Sequence, residues 1–409
     1  MNDITCIVCS SGPVELVLDL GETALANKFL SAQELATDSE PSFPLRVGFC
    51  QECGHVQLMD RVPPAAMFED YLYVSGASAT LLGHFKDIAE TMTGRLGLGK
   101  DDLVLDIGCN DASLLTAFRK LGVKTLGIDP AANLAEYVKD LGIDRITDFF
   151  GSASGERIVK EFGQASLITT TNTFPHIPAL GDFVAGIKKV LAPEGTFMIE
   201  AHYLVDILEQ VAFDTVYHEH VSYWSLRAMK RLFEQNGLQV VRAERLPIHH
   251  GQLRVSVMHP GHVVDESVDR LLAAEDALGI PKISTYHDFA ERVAGIKRDL
   301  VKTIADLRAG GAKVAGYGAP AKGMTLIEYV GLGPSDIDFI ADKSPLKQGR
   351  FTPGSHIPIL PAEHILDVQP DYLVLFAWNF ADEILGQQAE YRARGGKFIV
   401  PVPEVRVVG

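Results

Sequence analysis

LVLDIGCND, residues Leu103–Asp111, is the most informative segment of this chain for its architecture. An apolar run that ends in an acidic residue, with a glycine two positions later, is typical of a buried strand that leads into a ligand-binding loop. We predict a strand over 103–106, a helix over 113–121, a strand over 125–128 and a helix over 134–141. Because strands and helices alternate, these elements belong to a parallel sheet with helices on both faces.

The alternation continues along the chain and then starts a second time. The elements predicted next are a strand over 166–169, a helix over 183–191, a turn over 193–195, a strand over 196–200, a helix from Ser225 to Gly237, and strands over 238–243 and 253–258. Helices over 266–278 and 284–308 follow. The last part has predicted strands over 313–316, 337–341, 372–376 and 398–400 and a helix over 325–329, which indicates a second doubly wound α/β domain.

Composition and charge limit the classes of function. The chain has 409 residues, 47% of them hydrophobic, so we expect two or three globular domains. Its formal net charge of -16 argues against a nucleic-acid partner, which requires a basic face. No apolar run approaches the roughly 18 residues that cross a bilayer, and the first residues lack a leader pattern. We expect a cytoplasmic protein with no membrane partner and favour a monomer.

Four of the five cysteines form two Cys-x-x-Cys pairs. The pairs are Cys6–Cys9 and Cys50–Cys53, and residues 10–49 between them are expected to form a loop or a pair of strands. Four thiolates in two such knuckles are typical of a tetrahedral Zn²⁺ site. Since all four ligand positions are filled by protein, we predict a structural zinc ion. A redox pair or a chance pattern is the alternative.

The loop after the first predicted strand favours a cationic ligand. An acidic residue two positions before Gly108 would repel a pyrophosphate, but it suits the sulfonium of S-adenosylmethionine. At the ends of the next strands, Asp129 is placed to accept the ribose hydroxyls, and Asp148 and Phe149 to hold the adenine amino group and ring. We assign to this ligand Asp106, Gly108, Asn110, Asp129, Asp148 and Phe149. A loop without a special role is the alternative.

A second glycine-rich loop, GYGAPAK (316–322), follows the strand predicted over 313–316. Its Gly-x-Gly-x-x-Ala pattern, with Asp342 as a ribose acceptor, would suggest NAD. Positive charge around the loop instead fits a nucleoside diphosphate group in general. The residues assigned to that group are Lys322, Lys347 and Arg350, and a later strand adds a stacking surface and an amide at Trp378 and Asn379. A tryptophan of the core is the alternative for Trp378.

The segment TVYHEHVSYW, residues 215–224, contains the candidate base. As a strand or extended loop it would place His218 and His220 on one side and Tyr217 and Glu219 on the other. A histidine is a natural general base near neutral pH, Glu219 can orient an imidazole, and the tyrosines can hold a carbonyl or hydroxyl. Nothing in the sequence requires a metal here. A cluster of hydrogen-bonded polar residues without catalytic role is the alternative.

Taken in order, these motifs resemble the sugar C-methyltransferases over nearly the whole chain. The motifs are the two Cys-x-x-Cys pairs, DIGCND (106–111), YHEH (217–220), HHGQLR (249–254), GYGAPAKG (316–323), KQGR (347–350) with Pro353-Gly354, and Trp378-Asn379. The resemblance implies an α/β protein with three parts. These are a small zinc-binding domain (1–65), a central Rossmann-like S-adenosylmethionine methyltransferase domain (66–260), and a helical linker with a second Rossmann-like domain that binds a nucleotide-linked sugar (261–409).

The resemblance also implies a reaction, the methylation of C-3 of a nucleoside-diphosphate-linked 4-keto-deoxysugar through a base-generated enolate. It places His220 as base with Tyr217, Glu219 and His176 around the sugar. Further sugar contacts would come from Tyr71, Tyr73, His249 and Arg254.

Two features depart from the family pattern. Ala112 replaces a glycine of the donor loop, and His249-His-Gly-Gln252 replaces His-Gly-Gly-Ser, which leaves the particular sugar open. An NAD-dependent nucleotide-sugar oxidoreductase and a non-catalytic zinc-containing interaction protein are the rival functions.

Overall fold

A computed structural model describes residues 4–37, 40–63, 67, 74–77, 79–248 and 251–409. Its strands are β1 (Val14–Ala24), β2 (Ser42–Cys50), β3 (Val56–Leu58), β4 (Leu103–Ile107), β5 (Lys124–Ile128), β6 (Asp144–Ile146), β7 (Ala165–Thr171), β8 (Leu191–His202), β9 (Ser222–Tyr223), β10 (Gln239–Leu246), β11 (Gln252–Met258), β12 (Val314–Tyr317), β13 (Ile340–Asp342), β14 (Ile359–Pro361), β15 (Tyr372–Leu375), β16 (Lys397–Val400) and β17 (Arg406–Val408).

The described α-helices connect these strands and cover the sheets. They are α1 (Ala32–Leu35), α2 (Ala79–Leu96), α3 (Ser113–Lys120), α4 (Ala135–Val138), α5 (Ser152–Phe162), α6 (Leu180–Val190), α7 (Leu204–Glu209), α8 (Leu226–Gln235), α9 (Glu266–Ala277), α10 (Ile283–Ala309), α11 (Ala321–Val330), α12 (His364–Val368), α13 (Ala381–Gln387) and α14 (Ala389–Ala393). Short 3₁₀ helices span Ser75–Ala77, Ala132–Leu134, Lys139–Leu141, Phe174–His176, Phe213–Thr215 and Trp378–Phe380.

The central sheet has the strand order β10-β11-β8-β7-β4-β5-β6. Strands β4 to β8 run parallel, as the alternation of strands and helices predicts, while β11 and β10 pair antiparallel at one edge. The turn predicted over 193–195 is wrong, because β8 already begins at Leu191. β7 pairs with β8 on both sides of this segment, so it forms an irregularity inside the strand.

Each of the two parallel sheets has a point where the strand order reverses. In the central sheet β4 lies between β5 and β7, and in the C-terminal sheet, of order β14-β13-β12-β15-β16-β17, β12 lies between β13 and β15. Loops at the carboxyl ends of such neighbouring strands diverge and leave a crevice for a ligand. The C-terminal sheet confirms the second doubly wound unit, although α11 is longer than the helix predicted over 325–329.

The N-terminal part forms a separate antiparallel sheet of order β1-β2-β3-β9. β1 and β2 lie between the two cysteine pairs and are the expected pair of strands. β9 comes from much later in the chain, where Ser222 pairs with Gln57 and Tyr223 with Val56. This pairing joins the histidine-rich segment to the cysteine-containing sheet.

Helix α10 links the central sheet to the C-terminal unit. Its buried side chains recur every three or four positions, which is the spacing of one helix face: Tyr286, Phe289, Val293, Ile296, Leu300 and Ile304. This face packs against β1 and α11. Among the helices in the described ranges, none combines the length and apolar character needed to cross a bilayer.

The four paired cysteines converge at the base of the N-terminal sheet. Their sulfur atoms all lie within 4.8 Å of one another, with Sγ–Sγ distances of 3.5 Å for Cys6–Cys53 and 3.6 Å for Cys9–Cys50. Tetrahedral zinc with Zn–S bonds of about 2.3 Å requires sulfurs about 3.8 Å apart. The cluster therefore fits one structural zinc ion held by four thiolates. Cys109 lies elsewhere, with its sulfur packed against Gly127.

Removal of the metal tests this assignment. We expect Cys9→Ser to lose the bound zinc equivalent and to lower the melting temperature by at least about 5 °C, because closure of the knuckles contributes to folding. Zinc content by atomic emission and thermal unfolding are the measurements. Cys109→Ala serves as control and should keep one zinc per chain. Full zinc content in Cys9→Ser would contradict the four-thiolate site.

Candidate active site

One cleft of about 1570 Å³ lies between the three parts of the molecule. The carboxyl ends of β4 and β5 line one wall, the loops after β12 and β15 line the opposite wall, and the N-terminal part contributes Asn27 and Phe29. Thr215, Tyr217 and His220 form the floor between the two walls. The two sheet crevices therefore open into a shared space, large enough for two ligands of nucleotide size.

The first wall carries the loop after β4. Asp106 is buried and its Oδ1 accepts a hydrogen bond of 2.7 Å from the Thr169 hydroxyl on neighbouring β7. Burial raises the pKa of Asp106 to about 7, and the Asp129 carboxylate acts in the same direction. Gly108 has φ 76°, and a Cβ there would lie 2.1 Å from the Thr173 hydroxyl oxygen. Only glycine fits this approach of the backbone to the cleft.

The other residues predicted to hold the methyl donor lie along the same wall. Asp129 accepts hydrogen bonds from the amides of Asn110 (2.9 Å) and Ala131 (2.8 Å), which orients its carboxylate at the end of β5. Asp148 and Phe149 line the cleft further out, and the Phe149 ring is half-exposed. Carboxylates at two strand ends, a glycine cradle and an accessible aromatic ring fit S-adenosylmethionine, a cation with a ribose and an adenine.

Strained backbone is concentrated in this wall. Asn110, Ala112 and Asn172 have φ values of 51°, 60° and 58°, in the left-handed region. Ala112 stands where the family pattern has glycine, and it adopts the conformation that glycine would favour, at a cost of roughly 1 kcal/mol. Its methyl group is buried in the core beside Cys109 and Leu115, so packing offsets this strain. Strain of this kind is common where a backbone faces a ligand.

The floor of the cleft is a tight turn. The His220 amide donates to the Tyr217 carbonyl (2.9 Å), so the predicted extended conformation is wrong for residues 217–220 and applies only to β9. In a turn, residues three apart come together, and the Tyr217 hydroxyl therefore lies 2.9 Å from His220 Nε2. Tyr217 and His220 share the cleft, contrary to the opposite sides that we predicted from a strand.

The proton position on His220 follows from its partners. Nδ1 lies 2.8 Å from the Thr215 carbonyl, which can only accept, so Nδ1 carries the proton. Nε2 is then unprotonated, and its lone pair accepts a hydrogen bond from the Tyr217 hydroxyl at the cleft. Burial lowers the pKa of His220 to about 3, and the neighbouring His176 adds to the shift. The imidazole is therefore neutral at pH 7, with Nε2 unprotonated.

Two further imidazoles surround His220. The ring centroids of His176 and His202 lie 5.0 Å and 5.5 Å from that of His220. Burial, with His202 as a second cause, lowers the pKa of His176 to about 4. The sequence reasoning missed His202, because it ended the strand at residue 200. His202 is the last residue of β8, and the rule that ligands lie at carboxyl ends of strands would have identified it.

The other two side chains of this turn face the N-terminal part. Glu219 accepts a 2.6 Å hydrogen bond from Asn27, and burial raises the pKa of Glu219 to about 7. It contacts this amide rather than orienting an imidazole through its carboxylate. His218 packs its ring edge-on against Phe43 and lies 3.3 Å from the Pro44 carbonyl, outside the residues that line the cleft. Asn27 has no sequence signal, since only folding brings it here.

The opposite wall contains the cationic residues. The Lys322 ammonium lies 4.2 Å from the centre of the Trp378 ring, and that of Lys347 lies 4.8 Å from the centre of the Phe29 ring. Lys322, Lys347, Trp378 and Asn379 all line the cleft. Burial lowers the pKa of Lys322 to about 8, while the attraction of Asp214 opposes the shift. This wall can receive an anionic group beside an aromatic ring.

The other residues predicted to bind substrate either lie away from the cleft or fall outside the residues that the structure describes. Arg350 donates to the Phe29 carbonyl (3.1 Å), and Arg254 is buried in an ion pair with Glu200 (2.5 Å); neither lines the cleft. Tyr71, Tyr73 and His249 lie outside the described residues. Asp342, the ribose acceptor of the NAD interpretation, accepts hydrogen bonds from the Ala319 and Ser344 amides of its own loops.

Profiles of known domains match three consecutive parts of the chain. A zinc-binding domain matches residues 6–68, a methyltransferase domain matches residues 81–243, and a C-methyltransferase C-terminal domain matches residues 247–403. The first match contains the four clustered cysteines, and the second contains the loop after β4 and the turn with His220.

The chain is similar to one characterised protein over nearly its whole length and to solved structures over about half of it. The C-methyltransferase NovU of Streptomyces niveus is 38% identical over 408 residues, which cover 98% of this chain and 96% of that protein. A glycopeptide N-methyltransferase, MtfA, solved with sinefungin, is 12% identical with a TM-score of 0.34 and covers 49% of this chain and 99% of its own. A methyltransferase from Anabaena variabilis has 12% identity, a TM-score of 0.35 and coverages of 49% and 100%. By its length and identity, the match to NovU shows that the chain belongs to the S-adenosylmethionine-dependent C-methyltransferase family.

Proposed function

We propose that this C-methyltransferase acts on C-3 of a nucleoside-diphosphate-linked 4-keto-deoxysugar, with His220 as the base that forms an enolate. The observation that carries the proposal is the hydrogen bond from His220 Nδ1 to the Thr215 carbonyl. It leaves Nε2 as the only basic nitrogen of the ring and directs it into the cleft between an acidic and a cationic wall.

The acceptor carbon must be acidic for an imidazole to deprotonate it. A C–H bond next to a ketone meets this requirement if the charge that develops on the ketone oxygen is stabilised as it forms. Tyr217 is placed for this role, since its hydroxyl lies at His220 Nε2. We propose that the hydroxyl turns to the ketone oxygen when substrate binds, which frees Nε2 to take the C-3 proton. His176 and His202 enclose the same space.

Donor and acceptor enter from opposite walls. Asp106, Gly108, Asn110 and Asp129 would hold S-adenosylmethionine, which when bound supplies an electrophilic methyl group to the acceptor carbon. Lys322 and Lys347 would hold the diphosphate, and Trp378 and Asn379 the adjoining sugar or base. The anionic diphosphate would raise the pKa of His220 and so strengthen it as a base. Positioning of the two reactants in line then supplies much of the rate.

In this scheme each of the three parts of the chain has its own role. We propose that residues 1–65 hold zinc and close the floor of the cleft through Asn27, that residues 66–260 bind the donor and supply the base, and that residues 261–409 bind the nucleotide part of the substrate. The acidic chain then has a local cationic wall for an anionic ligand.

Replacement of His220 tests the base. We expect His220→Ala to lower turnover at least about a hundredfold with donor affinity unchanged, since general-base catalysis typically contributes this much. The direct measurement is exchange of the C-3 hydrogen of a nucleotide-linked keto-sugar in D₂O with S-adenosylhomocysteine bound, followed by NMR. His262→Ala, at a partly exposed histidine outside the cleft, is the matched control. Exchange at the wild-type rate in His220→Ala would assign the base to another residue.

Replacement of Gly108 tests the donor loop. We expect Gly108→Ala to weaken S-adenosylhomocysteine binding at least about tenfold, because the new Cβ both strains a left-handed backbone and meets the Thr173 side chain. Gly122→Ala is the matched control, since Gly122 has φ 84° but open space around it. Isothermal titration should show normal affinity in the control, where only the backbone strain is present. Normal affinity in Gly108→Ala would place the donor elsewhere.

A further inference from the structure

Asp214 is a buried acid next to Thr215, a residue that lines the cleft, and the reaction scheme leaves it without a role. Its side chain is fully buried, in the 3₁₀ helix Phe213–Thr215. Its Oδ2 accepts a 2.6 Å hydrogen bond from the Trp378 indole Nε1–H, which belongs to the C-terminal unit. A buried carboxylate costs free energy unless it is hydrogen-bonded or paired with a cation, so a specific partner is expected.

That partner is Lys322, which lies over the same indole. The ammonium is 4.2 Å from the centre of the Trp378 ring, and Asp214 is the group whose charge stabilises it. A carboxylate that accepts from the indole N–H increases the electron density of the ring, and a denser ring attracts a cation more strongly. Asp214, Trp378 and Lys322 thus form a relay in which a neutral indole lies between a buried carboxylate and an ammonium group at the cleft.

The relay is linked to the catalytic base through Thr215. Asp214 precedes Thr215, whose carbonyl accepts the His220 Nδ1–H. A displacement of Asp214 would therefore move the carbonyl that sets the proton position on His220. The C-terminal unit also packs here through α11, where Tyr329 contacts Phe213 edge-to-face at 5.3 Å.

We propose that Asp214 is a positioning residue. Through Trp378, it holds the Lys322 ammonium at a fixed position relative to the catalytic His220. The proposal rests on the proposed function, in which Lys322 receives the diphosphate. It adds that the charge on the phosphate-binding lysine and the orientation of the base depend on one carboxylate.

Other cations lie around the relay in the described residues. Lys343 lines the same cleft and donates to the Gln387 side chain. Lys347, on the next loop, is attracted by Asp342 and donates to the Ala319 carbonyl. Lys297 donates to the Tyr329 carbonyl at the far end of α11. Burial raises the pKa of Asp214, while the Lys322 charge and the Trp378 hydrogen bond oppose this rise, and the Asp214 charge in turn opposes the desolvation of Lys322. Removal of its charge should therefore act first on this lysine.

Asp214→Asn tests the relay, because the amide keeps the shape and an acceptor oxygen but removes the charge. The chain has two tryptophans, so the indole N–H region of an NMR spectrum of ¹⁵N-tryptophan-labelled protein should contain two signals, and Trp378→Phe assigns one of them. In the ligand-free wild type, we expect the Trp378 signal to move with pH as Lys322 loses its proton. Lys322→Met should abolish this titration, and Asp214→Asn should shift its midpoint down by about one pH unit.

Activity supplies the second measurement. In Asp214→Asn we expect kcat/KM for the nucleotide-linked keto-sugar to fall about fourfold more at pH 8 than at pH 6.5, because a pKa lowered by about one unit leaves the lysine mostly neutral at pH 8 and mostly charged at pH 6.5. Asp338→Asn, at a partly exposed acid paired with Arg308 in the same unit, is the matched control and should follow the wild-type profile. A residue that only supports the fold would lower kcat/KM equally at both pH values.

The outcomes separate the relay from the proposed function. An unchanged indole titration in Asp214→Asn, or an equal loss of activity at all pH values, overturns the relay. If the wild type neither turns over a keto-sugar nor binds uridine or thymidine diphosphate by titration calorimetry, the proposed function fails, and the indole titration still decides the relay. If Asp214→Asn does not fold, Trp378→Phe should lower the pH above which activity is lost, since it removes the N–H donor but keeps a ring.

Discussion

The hydrogen bond between His220 Nδ1 and the Thr215 carbonyl is the constraint on which the site depends. It requires residues 215–220 to stay in a tight turn, and a short turn does not hold its shape alone when its ends are free. Three contacts restrain it: β9 pairs with β3 of the cysteine-containing sheet, Glu219 accepts from Asn27, and Asp214 accepts from Trp378. The first two contacts come from the N-terminal part and the third from the C-terminal unit, so the position of the His220 imidazole depends on the packing of both.

The second organising feature is the separation of charge across the cleft. Two parallel sheets open their reversal points toward each other, with Asp106 and Asp129 on one side and Lys322 and Lys347 on the other. Carboxylates suit a cationic donor and ammonium groups suit an anionic acceptor, so each wall disfavours the ligand of the other. The overall charge of -16 does not show this arrangement, because net charge sums over the whole chain and the two lysines form a local cationic wall inside the cleft.

Much of the architecture could be predicted because it depends on local patterns. The apolar run 103–106, the glycine after it and the alternation of strands and helices are properties of neighbouring residues, and the central and C-terminal sheets follow them. The spacing of the two cysteine pairs likewise predicts a metal site by itself. Where prediction was wrong, distant contacts had changed the local conformation. Residues 193–195 lie inside β8 because β7 pairs with this strand on both sides of them, and Tyr217 to His220 form a turn because both ends of the segment are held.

The sequence by itself determined the fold class, the four thiolates and the chemical types of residue at the strand ends, since these depend on periodicity, spacing and side-chain chemistry. Only the tertiary structure decided which of these residues meet. It brought His202 beside His220, Asn27 to Glu219 and Asp214 to Trp378, and it placed Arg254 with Glu200 rather than in the cleft. The physical reason is that these contacts join residues far apart in the chain, so they form only when separate sheets pack and bury their polar groups together.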